Sequence, residues 1–142
     1  MIKTYQILID YKEQLLQEQK RKLTILEQKI STLENEKKQH YTEIENERNM
    51  LQEHPEFSSQ FANFYNSVKE KIDSLNKTID NIKTECVPIQ KEIEILFSDI
   101  KKFETISEQK LRQELERMDK EETAQMDELT LIRFLKEQNS NG

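Results

Sequence analysis

The sequence predicts an all-α chain: an antiparallel two-helix coiled-coil hairpin whose second helix is longer than the first. Three observations predict it. Tyr65, Ile72, Ile79, Cys86, Ile93 and Ile100 recur every seven residues, and Val68, Leu75, Ile82, Ile89, Leu96 and Phe103 follow each by three. A strict heptad of this kind keeps one seam facing a partner helix, with the first set at a and the second at d. The composition has 35% charged residues, two Pro, and one Gly, which sits at the last position, so turn signals are scarce. Finally, Pro55 interrupts two long amphipathic stretches, and a short connection makes such stretches antiparallel neighbours.

The first helix is expected over residues 3–52. Ile9, Leu16, Leu23, Ile30, Ile44 and Leu51 form a seven-residue ladder with Lys37 as its one polar rung. Leu8 and Leu15 flank the ladder early, and Leu26 and Leu33 flank it on the other side later. That drift is what a nearly straight helix does against a heptad repeat. Lys37, His40 and Glu47 fall where the seam should be dry and read as a solvated polar notch. At 1.5 Å per residue the helix would be roughly 75 Å long.

The turn is expected over residues 53–58. Pro55 removes a backbone donor and biases His54 away from helical geometry, while Ser58 and Ser59 can cap the next start. The second helix is expected over 59–138 with a kink near 88, because Pro88 lies inside unbroken heptads. Past Phe103 the seam thins. Leu111, Leu115, Met118, Leu129, Ile132 and Leu135 carry it, while Lys110, Arg117, Glu122 and Gln125 interrupt. The first helix, folded back from the turn, runs out near residue 106, so the last thirty residues overhang unless they fold back, their apolar end packing on Ile2, Tyr5 and Ile9, or bind something. Residues 139–142 read as a frayed tail. The whole, 1–142, is one hairpin, expected to be a monomer because the seam is covered within one chain; a parallel dimer of two straight rods is the alternative, and it needs Pro55 to be only a kink.

The net charge of −6 argues against nucleic acid or an anionic membrane surface as the main partner. No run approaches the ~18 apolar residues that span a bilayer, and no signal peptide is expected at Met1–Asp10. Cys86, the only cysteine, reads as a reduced thiol filling an a position. His40 and His54 have no Cys or second His at a ligand spacing, and there is no Gly-rich phosphate loop. Carboxylate pairs on an open rod stay solvated and gain no general-acid character. No enzyme activity, metal or cofactor is expected. Two features exceed what a bare rod needs. One is the aromatic group Phe57, Phe61, Phe64 and Tyr65 just after the turn, which either plugs the seam near Lys37 and His40 or forms a docking patch. The other is the apolar stretch from Leu129 to Leu135.

Over nearly its whole length, and best from Pro55 onward, the chain resembles the flagellar export protein FliJ family. Phe61-Ala62-Asn63-Phe64-Tyr65 with Val68-Lys69-Glu70-Lys71-Ile72 resembles the opening of that family's second helix. Phe97-Ser98-Asp99-Ile100-Lys101-Lys102-Phe103-Glu104 is similar to its basic pair followed by a hydrophobic residue and an acid. Glu121 through Arg133, centred on Gln125-Met126-Asp127-Glu128-Leu129, is similar to its C-terminal signature. The connection after the first helix is shorter than in some relatives.

The resemblance implies a cytoplasmic coiled-coil component of the type III flagellar export apparatus, at most peripheral to the inner membrane. It implies a stalk inserted in the export ATPase hexamer, and contacts with the cytoplasmic domain of the export gate and with export chaperones. Carried over, the gate-binding face falls on Phe64 and Val68, with Lys71 and Leu75 beyond them and Phe57 and Phe61 beside them. Lys71 departs from the small residue usual there. The ring-facing end would bring both termini together: Tyr5, Leu8 and Ile9 with Met126, Leu129, Ile132 and Arg133. The stalk of a virulence-type injectisome, or a plain coiled-coil tether, would share the same hairpin.

Overall fold

Helix α1 ends where Pro55 forces it to. In the computed structural model, which describes residues 2–140, α1 spans Ile2–Glu53, a single 3-10 turn covers Pro55–Phe57, and α2 spans Ser58–Ser140. His54 lies between them at φ −132° and ψ 73°, outside helical geometry, as the residue before a proline should be. The His54 N–H still donates to Met50 O, and the Phe57 N–H donates to His54 O, so the reversal leaves few backbone groups unpaired. Ser58 is already helical. Its hydroxyl donates to Pro55 O at 2.5 Å instead of accepting from the first turn of α2, so it braces the bend and does not serve as the expected cap.

The boundaries differ from the sequence reading by a few residues. The 3-10 turn takes up half of the expected 53–58 loop, Glu53 still belongs to α1, and α2 starts at Ser58. Asn139 and Ser140, expected in a frayed tail, continue the helix, and Asn141 and Gly142 lie outside the described residues. Helix α2 also runs unbroken through Pro88. Proline deprives the carbonyl four residues earlier of its donor. Both Pro88 and Thr84 are exposed, so water can take that place.

The contacts fall into two units. In the unit Gln14–Phe97, α1 and α2 lie antiparallel: Lys37 Nζ donates to Asn76 Oδ1 at 3.1 Å, and Ile44 packs with Val68 and Ile72. In the unit formed by residues 1–13 with 98–142, Tyr5 meets Phe103 and Lys12 meets Asp99, again antiparallel. Each unit is therefore a segment of two-helix hairpin. All twelve a and d positions from Tyr65 to Phe103 are buried or half-buried, and Leu96 and Ile79 are the most enclosed, at 1% and 2% exposed. Among the described residues no polar or charged residue is classed as buried. The seam is dry where heptads are apolar and bordered by polar groups where they are not.

Those borders depart from expectation. The second track of α1 is Tyr5, Lys12, Gln19, Leu26, Leu33 and His40, each half-buried, whereas Leu8 is exposed. Long stems explain the choice. Lys12 covers apolar surface with its methylenes while its Nζ reaches Asp99 at 3.4 Å. Lys37 is likewise not a solvated notch, because Nζ is shared between Asn76 and Glu34, each at 3.1 Å. His40 lies 3.4 Å from Glu43, and Glu47 is exposed. About 30% of each side chain of the Lys12–Asp99 pair stays open to solvent. Asp99→Asn is accordingly expected to cost no more than ~1 kcal/mol, read from the thermal unfolding midpoint at low and high salt.

Candidate functional site

Two surfaces stand out, one in each unit. At the bend, Phe57 ends the 3-10 turn, and Phe61 and Phe64 follow it on α2 at spacings of four and three, which share a helix face. Met50 and Leu51 come from the last turn of α1. Together with Glu47 and Gln60 these side chains line a cleft of about 310 Å³. Phe57 is 48% exposed and meets the His54 ring edge-on at 6.1 Å. Phe61 stacks on Tyr65 at 6.2 Å. Phe64 and Tyr65 pack against the cluster of Ile44, Val68 and Ile72. The aromatics thus finish the seam on one side and present an apolar wall on the other.

Of the residues expected to face the export gate, the structure groups Phe57, Phe61 and Phe64 on this cleft. Val68 does not join them. It is 3% exposed, because a d position points into the seam, and Leu75 is half-buried for the same reason. Lys71 is exposed. Met50, Leu51 and Gln60 belong to the cleft and were not singled out from the sequence. Leu51 could have been found from its place on the ladder of α1, opposite the aromatics once the turn is closed.

The second surface is the end of α2. Every residue from Leu111 to Ser140 is exposed. Met126, Leu129 and Ile132 lie on one face at 61%, 56% and 43% exposure, Leu131 and Phe134 occupy the opposite face, and Leu135 lies between the two. Arg133 is exposed beside them. The alternative in which this stretch packs on Tyr5 and Ile9 is overturned by that exposure; the side chain of Ile2 is outside the described ones. Tyr5 instead meets Phe103, with ring centroids 6.3 Å apart. Ile9 is 5% exposed inside the hairpin, and Leu8 is at its edge at 36%. About 35 Å of helix separates Phe103 from Met126 at 1.5 Å per residue. The structure therefore does not bring Tyr5, Leu8 and Ile9 together with Met126, Leu129, Ile132 and Arg133.

The exposed helix carries one local charge cluster. Arg117 donates to both Glu114 and Glu121, one turn on either side. The hydrogen bond from Arg117, then its charge, pulls the Glu114 carboxyl below its ordinary 4.5, and Arg117 is raised in turn, by Glu114 first. A depressed carboxylate contributes fully above its unfolded pKa and loses that contribution as pH falls through its lowered one. An NMR titration should therefore show Glu114 at its midpoint below pH 4.5, with helical shifts around Arg117 weakening only there. Glu114→Gln should remove that acid dependence.

Among the described residues no group of three or more His, Cys, Asp or Glu could hold a metal ion, and no helix is long and apolar enough to cross a membrane. Cys86 is buried in the seam. What the molecule offers is surface: an apolar cleft at a bend and an uncovered helix end.

No curated protein and no solved structure matches the chain. A family model does, that of the flagellar FliJ protein, over residues 3–139. The match takes in both helices, the bend between them and nearly all of the uncovered end of α2. The chain belongs to the flagellar FliJ family, and so to the components of the flagellar export apparatus.

Proposed function

We propose that this chain is the central stalk of the export ATPase ring, working in the cytoplasm, with the uncovered end of α2 as the part that enters the ring. The observation that carries this reading is the unbroken exposure of residues 111–140, with large apolar side chains on two opposite faces of one helix. A helix packed against a single neighbour hides one stripe. A helix apolar on two faces is suited to being surrounded, as it would be along the axis of a ring. The sequence has no Gly-rich phosphate loop, so the chain would alter the ring's hydrolysis without hydrolysing ATP.

The bend is the second working surface. Phe57, Phe61 and Phe64 would receive the cytoplasmic domain of the export gate, since partly exposed aromatics on a preformed apolar cleft are the residues that dominate interface energies. Export chaperones would be further partners. The two surfaces belong to different units of the chain, so damage to one should spare the other.

The test is paired pull-downs with the purified ATPase and the purified gate domain. The intact chain should capture both. Phe64→Ala should lower gate capture at least about tenfold, as loss of a hot-spot aromatic does, and leave ATPase capture unchanged. Leu129→Asp should do the reverse. Failure of the intact chain to capture either protein would leave it a tether within the apparatus.

A further inference from the structure

The uncovered end of α2 carries a pattern that the ring does not require. Leu111, Leu115 and Met118 are spaced by four and then three residues, and Leu129 and Ile132 resume the same spacing about three turns later. This is a heptad stripe, set one residue out of step with the seam that ends at Phe103. Between its two apolar halves the stripe positions are Glu122 and Gln125. Lys136 closes it. Each of these residues is exposed, and no other part of its own unit covers them.

The stripe is nearly palindromic. Laid antiparallel on a second copy, about a two-fold axis between Glu122 and Gln125, it sets Met118 against Leu129 of the second copy and Leu115 against Ile132 of the second copy. Glu122 then meets Gln125 of the second copy, twice, at the centre, and the Lys136 stem covers Leu111. A shift of one heptad either way destroys the match, placing Leu115 against Gln125 or Glu122 against Ile132. Polar residues at core positions of a coiled coil fix register at a cost in stability. A symmetric pair, in which each residue of one copy meets the counterpart of its own partner, is the commonest way for a chain to cover its own surface.

We infer that the free chain forms an antiparallel homodimer through residues 111–136, and that this dimer covers the apolar stripe when no other partner does. The monomer expected from the sequence followed from a seam covered within one chain, which holds only as far as α1 reaches. The dimer stands without the ring reading. If both hold, the dimer and the ring compete for one surface. The charges that flank the core do not assist it: Glu121 would lie near Glu128 of the second copy and Arg112 near Arg133 of the second copy. Arg117 offsets Glu121 in its own chain. Association should therefore be driven by apolar contact and strengthen as salt is added, the opposite of a charge-steered complex.

Sedimentation of the full chain between about 1 and 300 µM brackets weak to moderate association. The intact chain is expected to pass from monomer to dimer within that range. Glu122→Leu, present twice in the dimer, should tighten it at least ~10-fold. Leu129→Asp should weaken it at least ~100-fold, with the helical circular dichroism retained. Orientation is read by mixing chains that carry Leu115→Cys with chains that carry Ile132→Cys under mild oxidation. The mixed disulfide should predominate, because like positions lie about 25 Å apart in the antiparallel pair. A monomer at every concentration for both the intact chain and Glu122→Leu would overturn the inference, as would a predominance of Leu115→Cys self-linkage.

Discussion

Ile79→Asp lowers the unfolding free energy of this chain by about 3–5 kcal/mol, while Lys77→Asp, two residues earlier, changes it by less than ~0.5 kcal/mol. The contrast follows from the seam. Ile79 is 2% exposed at an a position of α2, whereas Lys77 is on the solvent face. A carboxylate at 79 would lose its water and gain no cation, and the apolar contacts across to α1 would go with it. Leu75→Asp should fall between the two, because Leu75 is only half-buried and its carboxylate could reach solvent. Urea unfolding followed by circular dichroism supplies all three values. Equal losses at the three positions would mean that the register is wrong.

The second large effect is on the partner. Removing residues 126–142 should abolish stimulation of the ATPase ring and leave the rest of the chain folded. Nothing buried is lost, since every described residue in that stretch is exposed. The unfolding midpoint should therefore move by no more than the few tenths of a kcal/mol typical of surface changes. Yet the truncation deletes Met126, Leu129, Ile132 and Arg133 together with Leu131 and Phe134 on the opposite face and Leu135 between them. Capture of the gate domain by Phe57, Phe61 and Phe64 should persist. A truncated chain that still stimulates fully would move the ring-facing surface elsewhere on the molecule.

How much of this could be read from the residues depends on the kind of signal. The seam of α2 was fully legible, because a heptad of apolar residues is one-dimensional information and twelve positions agree. The bend was legible to within a few residues for the same reason, Pro55 acting on its own neighbours. The second track of α1 was not. Lys12, Gln19 and His40 occupy seam-side positions because a long polar stem can lie over apolar surface, and hydropathy counts such residues as solvent-facing. Leu8 looked like a seam residue by its apolarity alone and is exposed.

The candidate surfaces show the same division. That the end of α2 lacks cover followed from counting residues on either side of Pro55. That Tyr5, Leu8 and Ile9 lie far from Met126 along the hairpin did not, because pairing the two termini ignores the difference in helix length. The cleft at the bend needs both helices: Phe57, Phe61 and Phe64 were visible as a cluster, but Met50 and Leu51 join them only when the turn closes. Val68 shows the risk of carrying a family's binding face across by alignment. Its d position buries it, whatever role the matching residue has elsewhere.

The account rests on the uncovered end of α2 entering the export ATPase ring. The most direct measurement is site-specific photo-cross-linking of the full chain to the assembled ring, with the probe placed in turn at Ile132 and at Gln60. The account predicts a strong chain–ATPase adduct from position 132 and none from position 60 at the bend. An adduct from position 60 with none from 132 would contradict it.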